Sequence, residues 1–174
     1  MKTKSPQQRT IKETAGRCYD MDSIDTEMLT SMHGGEFRLV ELPRFLDPRG
    51  NLAVIEQFRE IPFKIERCHW IYDVPGGGGR EGHAYHENEE LIIALSGSFD
   101  VVVRHSGGNE TVTLNRSYVG LYLPRLTWRE LTNFSTNAVV LVLSSKPYSD
   151  ADYILDYDMY LKLRNDGRGT QNRI

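Results

Sequence analysis

The sequence has few cysteines, no long apolar run and no excess of charge of either sign. Cys18 and Cys68 are its two cysteines among 174 residues, too few for a disulfide framework, so we expect free thiols in a reducing, cytoplasmic environment. No apolar run approaches the ~18 residues that span a bilayer, and the basic N-terminus lacks the apolar core of a secretory signal. A formal net charge of -3 provides no basic field. We therefore expect no membrane and no nucleic-acid partner.

The composition is that of a globular domain. Hydrophobic residues make up 39% of the chain and charged residues 26%, and the length suits one domain rather than two. Residues 1–35 are polar and without steady periodicity, so we predict an N-terminal extension with a short helix near Asp22–Met32. We place the domain at residues 36–163 and a polar tail at 164–174.

Short apolar segments recur from Glu36 onward, separated by turn residues. This pattern predicts an all-β sandwich or barrel. Phe99, Val101 and Val103 alternate with polar residues, which predicts one buried face. The predicted strands are Phe37–Glu41, Asn51–Gln57, Glu66–Tyr72, His83–His86, Glu90–Leu95, Ser98–Arg104, Thr111–Leu114, Gly120–Leu123 and Ala138–Leu143.

Two further patterns concern packing and the C-terminus. Leu91–Leu95 and Val139–Leu143 are continuous apolar runs, which fit strands covered on both faces, as at a sheet-to-sheet or subunit contact. Near the C-terminus, Ser149 with Asp152 predicts a capping box. The apolar stripe that follows this box predicts a helix from about residue 150 to 163, and its members are Ile154, Tyr157 and Leu161.

The densest polar cluster, Arg80–Glu90, follows four glycines and precedes an apolar strand. On a strand, His83 and Tyr85 share one face and His86 points to the other. A neutral imidazole accepts a proton near pH 7 and a phenol donates one, so the pair suits general acid–base chemistry. The same two side chains would also suit a hydrogen-bonded barrel mouth without catalysis, and these residues alone leave both interpretations open.

The spacing around His83 resembles the first cupin motif, which runs His-x-His, Glu, Gly. Here Tyr85 stands at the second His, followed by Glu90 and Gly97. The second motif normally provides Gly, Pro, His and Asn, and the matching residues are Gly120, Pro124, Trp128 and Asn133. Because a metal needs several converging ligands, and Tyr85 and Trp128 replace two of the usual histidines, we expect no metal and no other cofactor.

Longer blocks resemble the dTDP-4-keto-6-deoxyglucose 3,4-ketoisomerases, a family of cupin sugar-nucleotide isomerases, over about residues 37–163. The blocks are DPRGNLAVIE, IPFKIERCHWIYDV, REGHAYH, LSGSFDVVV, GLYLPRLTWREL and LVLSSKPYSDADYILDYDMYLKL. The resemblance implies an all-β cupin barrel (a double-stranded β-helix, or jelly roll) with a short C-terminal helix. It also implies a homodimer and a dTDP-linked keto-deoxysugar substrate.

The family's active segment reads Arg-Gly-x-His-Ala-His, and Arg80 and His83 match it, whereas Glu81 and Tyr85 depart from it. The implied reaction moves a carbonyl from C4 to C3 through an enediol, with His83 as base, Tyr85 as donor to a sugar oxygen and Arg80 on the diphosphate. His69 and His105 are interpreted as ordinary strand or loop histidines. The other predicted substrate-binding residues are Glu90, Trp128, Arg49 and Tyr72.

Two alternatives remain open at this point. A 3,5-epimerase of the same nucleotide sugar would also use a cupin barrel, a His base and a Tyr acid, which Tyr85 fits. A non-catalytic, nucleotide-sugar-binding cupin would have lost its second histidine together with catalysis. The presence of both Arg80 and His83 argues against this second alternative.

Overall fold

The computed structural model of the chain describes residues 37–105 and 108–171, so the predicted N-terminal extension and its helix near Asp22–Met32 lie outside the described residues. The strands are β1 Arg38–Glu41, β2 Arg44–Phe45, β3 Leu52–Ala53, β4 Arg67–Ile71, β5 Arg80–Tyr85, β6 Glu90–Ser96, β7 Phe99–His105, β8 Gly108–Leu114, β9 Val119–Leu123, β10 Trp128–Thr132, β11 Val139–Ser144 and β12 Tyr153–Ile154. A 3-10 turn spans Asp150–Asp152, and the helix α1 spans Tyr157–Gln171. Among the described helices, none has the length and apolar character needed to cross a membrane.

The strands form two five-stranded sheets and a small hairpin. The first sheet has the order β1-β9-β6-β11-β4 and the second β12-β5-β10-β7-β8, while β2 and β3 pair separately. From β4 to β12 the chain passes repeatedly from one sheet to the other, and the described strands within each sheet pair antiparallel. This arrangement confirms the predicted all-β cupin barrel with a C-terminal helix.

The core lies between the two sheets. Phe99, Val101 and Val103 of β7 are fully buried, which confirms the face predicted from their alternation. They pack in one cluster with residues of the first sheet such as Ile92 and Val142. Burying a side chain of this size contributes about 1.5–3 kcal/mol, so the interdigitation of the sheets supplies the main driving force for closing the barrel.

A second apolar cluster covers the outer face of the first sheet. Leu91 and Ile93 point outward from β6 and pack against Ile61, which lies in the segment between β3 and β4. The run Leu91–Leu95 predicts a strand that is covered on both faces. Part of the cover over the outer face therefore comes from Ile61 of the same chain, rather than from a second sheet or subunit. Leu95, at the end of the run, remains 48% exposed.

The C-terminal segment differs from its prediction. Ser149 makes no side-chain cap and precedes the 3-10 turn. Ile154 lies in β12 because that segment pairs with β5, a tertiary contact that overrides the local helical pattern. The helix α1 begins at Tyr157, where the Asp156 carboxylate accepts the backbone N–H of Met159 at 2.9 Å. It continues past residue 164, the first residue of the predicted polar tail.

Two strands of the barrel also depart from the sequence pattern. The predicted strand Asn51–Gln57 is reduced to Leu52–Ala53, and β10 lies where the sequence pattern predicts no strand. In β10 the residue opposite the core residue Val103 is Arg129. A charged residue therefore occupies an interior-facing position that is apolar in most strands of the barrel. The missing apolar alternation explains why local pattern did not reveal β10.

Candidate active site

The pairing of β5 with β10 places His83 directly opposite Arg129. In the same register Arg129 lies opposite Val103, whose side chain is in the core, so both polar side chains face the barrel interior. Tyr85 follows His83 by two residues and shares its face, and the Tyr85 hydroxyl lies 3.1 Å from His83 Nε2. The predicted juxtaposition of imidazole and phenol is therefore present in the structure.

A buried ion pair between Arg129 and Glu90 lies beside His83 and Tyr85. The Arg129 guanidinium bonds Glu90 Oε2 through Nη2 at 2.6 Å and through Nε at 3.2 Å, and its Nη1 lies 2.9 Å from His83 Nδ1. Arg129 is 6% exposed and Glu90 1%. Because charges this deeply buried are tolerated only when paired, Glu90 holds Arg129, and Arg129 in turn fixes the position of His83.

The burial and these charges set the protonation states. Burial, together with the Arg129 charge, lowers the pKa of His83 to about 4. Burial and the Glu90 charge raise the pKa of Tyr85 above its ordinary value. Burial opposes ionisation of Glu90, yet the charge and hydrogen bond of Arg129 leave its pKa below the usual value. At neutral pH the site thus combines a neutral imidazole, a protonated phenol and a charged ion pair.

The C-terminal segment adds a third aromatic side chain. Strand β12 pairs with β5 so that Tyr153 lies opposite Tyr85. The Tyr153 ring centroid is 4.7 Å from that of Tyr85 and 5.1 Å from that of His83. This contact gives a structural reason for the C-terminal block noted in the sequence, because the strand before α1 builds one wall of the site.

The turn between β5 and β6 is fixed by the same segment. The Asp152 carboxylate accepts the backbone N–H groups of Glu87 at 2.8 Å and Asn88 at 3.1 Å. The Asn88 side-chain oxygen accepts the backbone N–H of Lys146 at 3.0 Å. These bonds hold the ends of β5 and β6 together, and with them the relative positions of Tyr85 and Glu90.

Arg80 lies at the exposed edge of the site. The β5–β10 register shifts by one residue between Arg80 and His83. Arg80 is paired with Leu131 and His83 with Arg129, so three positions on β5 correspond to two on β10. The bulge brings Arg80 onto the interior face although three positions separate it from His83. The charge of Arg80 contributes to the lowered pKa of His83. An exposed cation beside the pocket is suited to an anionic substituent of the substrate.

Trp128 does not line the pocket, which corrects the sequence-based placement. Its neighbour Arg129 faces the interior, so Trp128 faces outward and is buried in a cluster with Tyr157 and Tyr160 of α1. A Cβ at Gly82 would lie 2.5 Å from Trp128 Nε1, so the absence of a side chain at Gly82 lets the indole pack across β5. The interior position at this point of the second cupin motif belongs to Arg129.

Arg49 and Tyr72 are not brought to His83 within one chain. Arg49 lies in the β2–β3 turn with its side chain 90% exposed, and it forms a bidentate pair with Asp47 at 2.8 and 2.9 Å. Tyr72 follows β4, is 60% exposed and lines a shallow surface cavity of about 400 Å³ together with Trp70. Neither side chain belongs to the pocket that the interior residues form.

Of the seven predicted site residues, His83, Tyr85 and Glu90 meet around Arg129, and Arg80 lies at the exposed edge of this cluster. Sequence reasoning missed Arg129 and Tyr153. A signal for Arg129 existed, since a basic residue next to the expected motif position can balance a buried Glu90. Tyr153 gave no local signal because its position depends on β12. Within residues 37–105 and 108–171, no three His, Cys, Asp or Glu side chains converge as metal ligands would.

Comparison with known proteins places this cupin barrel, with its acid–base pocket, among sugar-nucleotide isomerases. A profile described as "FdtA: WxcM-like, C-terminal" matches residues 35–165. The TDP-4-oxo-6-deoxy-alpha-D-glucose-3,4-oxoisomerase of Aneurinibacillus thermoaerophilus is 35% identical over 127 residues, 73% of this chain and 91% of that protein. The chain belongs to the FdtA-like family, and the predicted family is confirmed.

Solved structures agree with this assignment. A 3,4-ketoisomerase from Helicobacter canadensis is 36% identical with a TM-score of 0.72, covering 75% of this chain and 98% of its own. A mutant of the ketoisomerase QdtA from Thermoanaerobacterium thermosaccharolyticum, solved with TDP-4-keto-6-deoxyglucose, is 32% identical with a TM-score of 0.71, covering 73% and 92%. A 4-keto-6-deoxy sugar epimerase from Streptomyces spheroides, 20% identical, shares the fold alone. The predicted isomerase class is confirmed, and the ketoisomerase interpretation is favoured over the epimerase.

Proposed function

We propose that the chain moves the carbonyl of a dTDP-linked 4-keto-6-deoxyhexose from C4 to C3 through an enediol. The observation that carries the proposal is the interior triad of a neutral His83 imidazole, a protonated Tyr85 phenol 3.1 Å away and the Arg129 guanidinium against the imidazole. The TDP-linked 4-keto-6-deoxyglucose named for two relatives supports this substrate class.

The reaction needs a base that removes the proton from C3 and groups that stabilise the negative charge that develops on O4. The C4 carbonyl acidifies the proton on C3, and the neutral imidazole of His83 accepts it. The C3–H electron pair forms the C3–C4 double bond, while the carbonyl pair moves onto O4, where the Arg129 charge and a Tyr85 hydrogen bond stabilise it. The O3 proton passes to O4, C3 becomes the carbonyl, and His83 returns its proton to C4. No electrons leave the sugar, so no redox partner is needed.

Arg80 is the group we assign to the diphosphate. It stands on the interior face at the exposed start of β5, so an anionic group outside the pocket meets it while the sugar lies deeper, beside His83. Arg49 is already paired with Asp47 and contacts nothing in this pocket, so a role for Arg49 or Tyr72 in substrate binding requires a second subunit.

Tyr85→Phe removes the phenol and keeps the ring. Because the phenol matters most when charge develops on oxygen, we expect a fall in kcat that exceeds the rise in KM, within the ~10²–10⁴-fold range of acid–base contributions. Tyr85→His restores the family's His-x-His, and we expect it to retain turnover. Steady-state kinetics of both variants test this, and a Tyr85→Phe enzyme with unchanged kcat would show that Tyr85 only forms a pocket wall.

Incubation of the wild-type protein with substrate in D2O tests the reaction class. The proton that His83 takes from C3 exchanges with solvent before it is returned, so the proposed isomerisation places deuterium at C4 of a product whose carbonyl is at C3. A 3,5-epimerase would instead place deuterium at C3 or C5 and keep the C4 ketone. A protein that only binds the sugar nucleotide would incorporate no deuterium above the background rate.

We further propose that the protein acts as a homodimer in the cytoplasm. Trp70 and Tyr72 are 61% and 60% exposed, and both project from the outer face of the first sheet, as does Leu95. Exposed aromatic side chains on one sheet face favour a protein contact over solvent, and aromatics are enriched at interfaces. The exposed free thiol of Cys68, on the same face, is compatible with a reducing compartment.

Trp70→Glu tests the dimer. A charge on this aromatic patch disfavours its burial against a second copy, so we expect a monomer at micromolar concentration with an unchanged fold, because Trp70 is largely exposed within one chain. Leu155→Glu is the matched control, since Leu155 is 71% exposed elsewhere on the chain and should not alter assembly. Sedimentation velocity measures both, and a monomeric wild-type protein would contradict the dimer.

A further inference from the structure

Asn88 and Glu90 point into the barrel from the same wall. The pairing of β6 with β11 extends beyond Glu90, because the Ser145 backbone N–H donates to the Glu89 carbonyl at 3.0 Å. The Glu89 side chain points outward, where it accepts the hydroxyl of Tyr122, a member of the outer apolar cluster, at 2.7 Å. Side chains of an extended chain alternate, so Asn88 and Glu90, on either side of Glu89, both face the interior. They are 2% and 1% exposed.

Each of these two side chains has one polar atom in use and one without a partner. Asn88 Oδ1 accepts the Lys146 backbone N–H at 3.0 Å, which identifies it as the oxygen and leaves Nδ2 as the unused donor. Glu90 Oε2 accepts both bonds from Arg129. In the part of the chain that the structure describes, Asn88 Nδ2 and Glu90 Oε1 are buried without a hydrogen-bond partner. Buried polar atoms are almost always paired, so two such atoms side by side indicate a polar ligand.

The two unpartnered atoms are chemically complementary. Burial opposes ionisation of Glu90, but the Arg129 charge keeps its pKa below the usual value, so Oε1 only accepts, whereas Asn88 Nδ2 only donates. The Tyr85 hydroxyl also favours the charged form of Glu90, but its 3.1 Å contact is with His83 Nε2, which leaves Oε1 available. A hydroxyl group accepts from one atom and donates to the other. A carbonyl or an ionised phosphate would satisfy only the donor.

The position suits a substituent of the sugar. Residues two positions apart in a strand lie roughly 6.6 Å apart along the chain, and an oxygen with hydrogen bonds of about 2.8 Å to two atoms joins atoms up to ~5.6 Å apart. A single oxygen between the two side chains can therefore contact both. Arg129 links Glu90 to the base, since its Nη1 lies 2.9 Å from His83 Nδ1. A group bound to Glu90 Oε1 thus lies in the pocket that holds the reacting carbons.

We propose that Asn88 and Glu90 form a specificity-determining subsite for one hydroxyl group of the hexose. The hydroxyl oxygen accepts the Asn88 Nδ2–H, and the hydroxyl proton is donated to Glu90 Oε1. This inference rests on the proposed function, which places a 4-keto-6-deoxyhexose beside His83. The C2 and C3 hydroxyls of that sugar offer the same chemistry. A sugar that lacks the bound hydroxyl leaves two buried groups unpaired, the condition under which a site rejects an analogue most strongly.

The affinity for unreactive sugar nucleotides tests the subsite. dTDP-6-deoxyglucose has a hydroxyl in place of the C4 ketone and cannot isomerise, and its 2-deoxy and 3-deoxy counterparts each lack one hydroxyl. In calorimetric titrations of the wild-type protein, the counterpart without the bound hydroxyl should bind at least ~10-fold more weakly than the parent, which identifies that hydroxyl.

Two substitutions of Asn88 assign this discrimination to the subsite. Asn88→Asp keeps an oxygen for the Lys146 N–H and replaces the Nδ2 donor by an acceptor. Asn88→Ala removes the donor without adding a charge. In both variants, the ratio of the dissociation constants of the deoxy counterpart and the parent should shrink by ~3-fold or more, because only the bond to Glu90 remains.

Asn109→Asp is the matched control, because Asn109 is exposed on β8 at the far edge of the second sheet. It should keep the wild-type affinity for all three compounds, and the thermal midpoint of each variant establishes that it is folded. If neither counterpart loses affinity for the wild-type protein, or if the ratio is unchanged in both Asn88 variants, the subsite does not hold a sugar hydroxyl. If the wild-type protein binds none of the three sugar nucleotides, the proposed function itself fails, which is a distinct outcome.

Discussion

His83→Asn should reduce turnover of dTDP-4-keto-6-deoxyglucose by at least ~10²–10⁴-fold, the usual contribution of a general base. Asparagine retains polarity and similar size but cannot accept the C3 proton at neutral pH. Nucleotide affinity should change little, because His83 lies in the interior, whereas the cation assigned to the diphosphate, Arg80, is at the exposed edge. Steady-state kinetics and a TDP titration measure the two effects separately.

The pH dependence of the wild-type enzyme provides an independent check on the same residue. Since burial and Arg129 lower the pKa of His83 to about 4, the imidazole is neutral and able to act as base throughout the pH range above that value. As pH falls through 4, His83 becomes protonated and kcat/KM should decline. Full activity of His83→Asn, or an acidic limb near 6.5 that disappears in this variant, would contradict this description of the base.

Glu90→Gln should cost about 3–5 kcal/mol of unfolding free energy, the range for breaking a buried ion pair by removing one partner. Arg129 is 6% exposed, so the substitution leaves its guanidinium without a countercharge in the barrel interior. Because Arg129 also contacts His83, activity should fall even in molecules that remain folded. Chemical denaturation gives the free energy, and the kinetics of the folded fraction give the second effect.

Two controls separate burial from charge. Glu66→Gln breaks the exposed pair with Lys64, 2.7 Å apart, and should change stability by only about 0–1 kcal/mol. Adding Arg129→Met to Glu90→Gln should recover much of the lost stability, because no unpaired charge remains. The pKa of the Glu90 carboxyl is lower in the folded than in the unfolded protein. The ion pair with Arg129 therefore contributes fully to stability at pH values above the unfolded-state pKa, and this contribution is lost as the pH falls through the folded-state pKa. Equal losses of unfolding free energy in Glu90→Gln and Glu66→Gln would contradict the conclusion that burial makes the Glu90–Arg129 pair important.

The all-β fold was predictable from local pattern because most barrel strands alternate visibly or form apolar runs. The β7 residues Phe99, Val101 and Val103 are an example, since one face is fully buried as their spacing predicts. The juxtaposition of His83 with Tyr85 was predictable for the same reason, because two residues on one strand face need no tertiary information. The family resemblance added the reaction, which alternation alone does not reveal.

The remaining parts of the site depend on contacts between distant segments. Arg129 reaches His83 through the β5–β10 register, and Tyr153 through the pairing of β12, neither of which has a local signature. The orientation of Trp128 was misassigned because the motif spacing placed it, rather than Arg129, at the interior position.

The position of the carbonyl in the product tests the central claim most directly. Wild-type protein is incubated with dTDP-4-keto-6-deoxyglucose labelled with ¹³C at C3 and C4, and the carbon spectrum is followed over time. The proposed reaction predicts that the ketone resonance moves from C4 to C3 while the nucleotide stays attached. A product that keeps its ketone at C4, with or without inversion at C3 or C5, would contradict it.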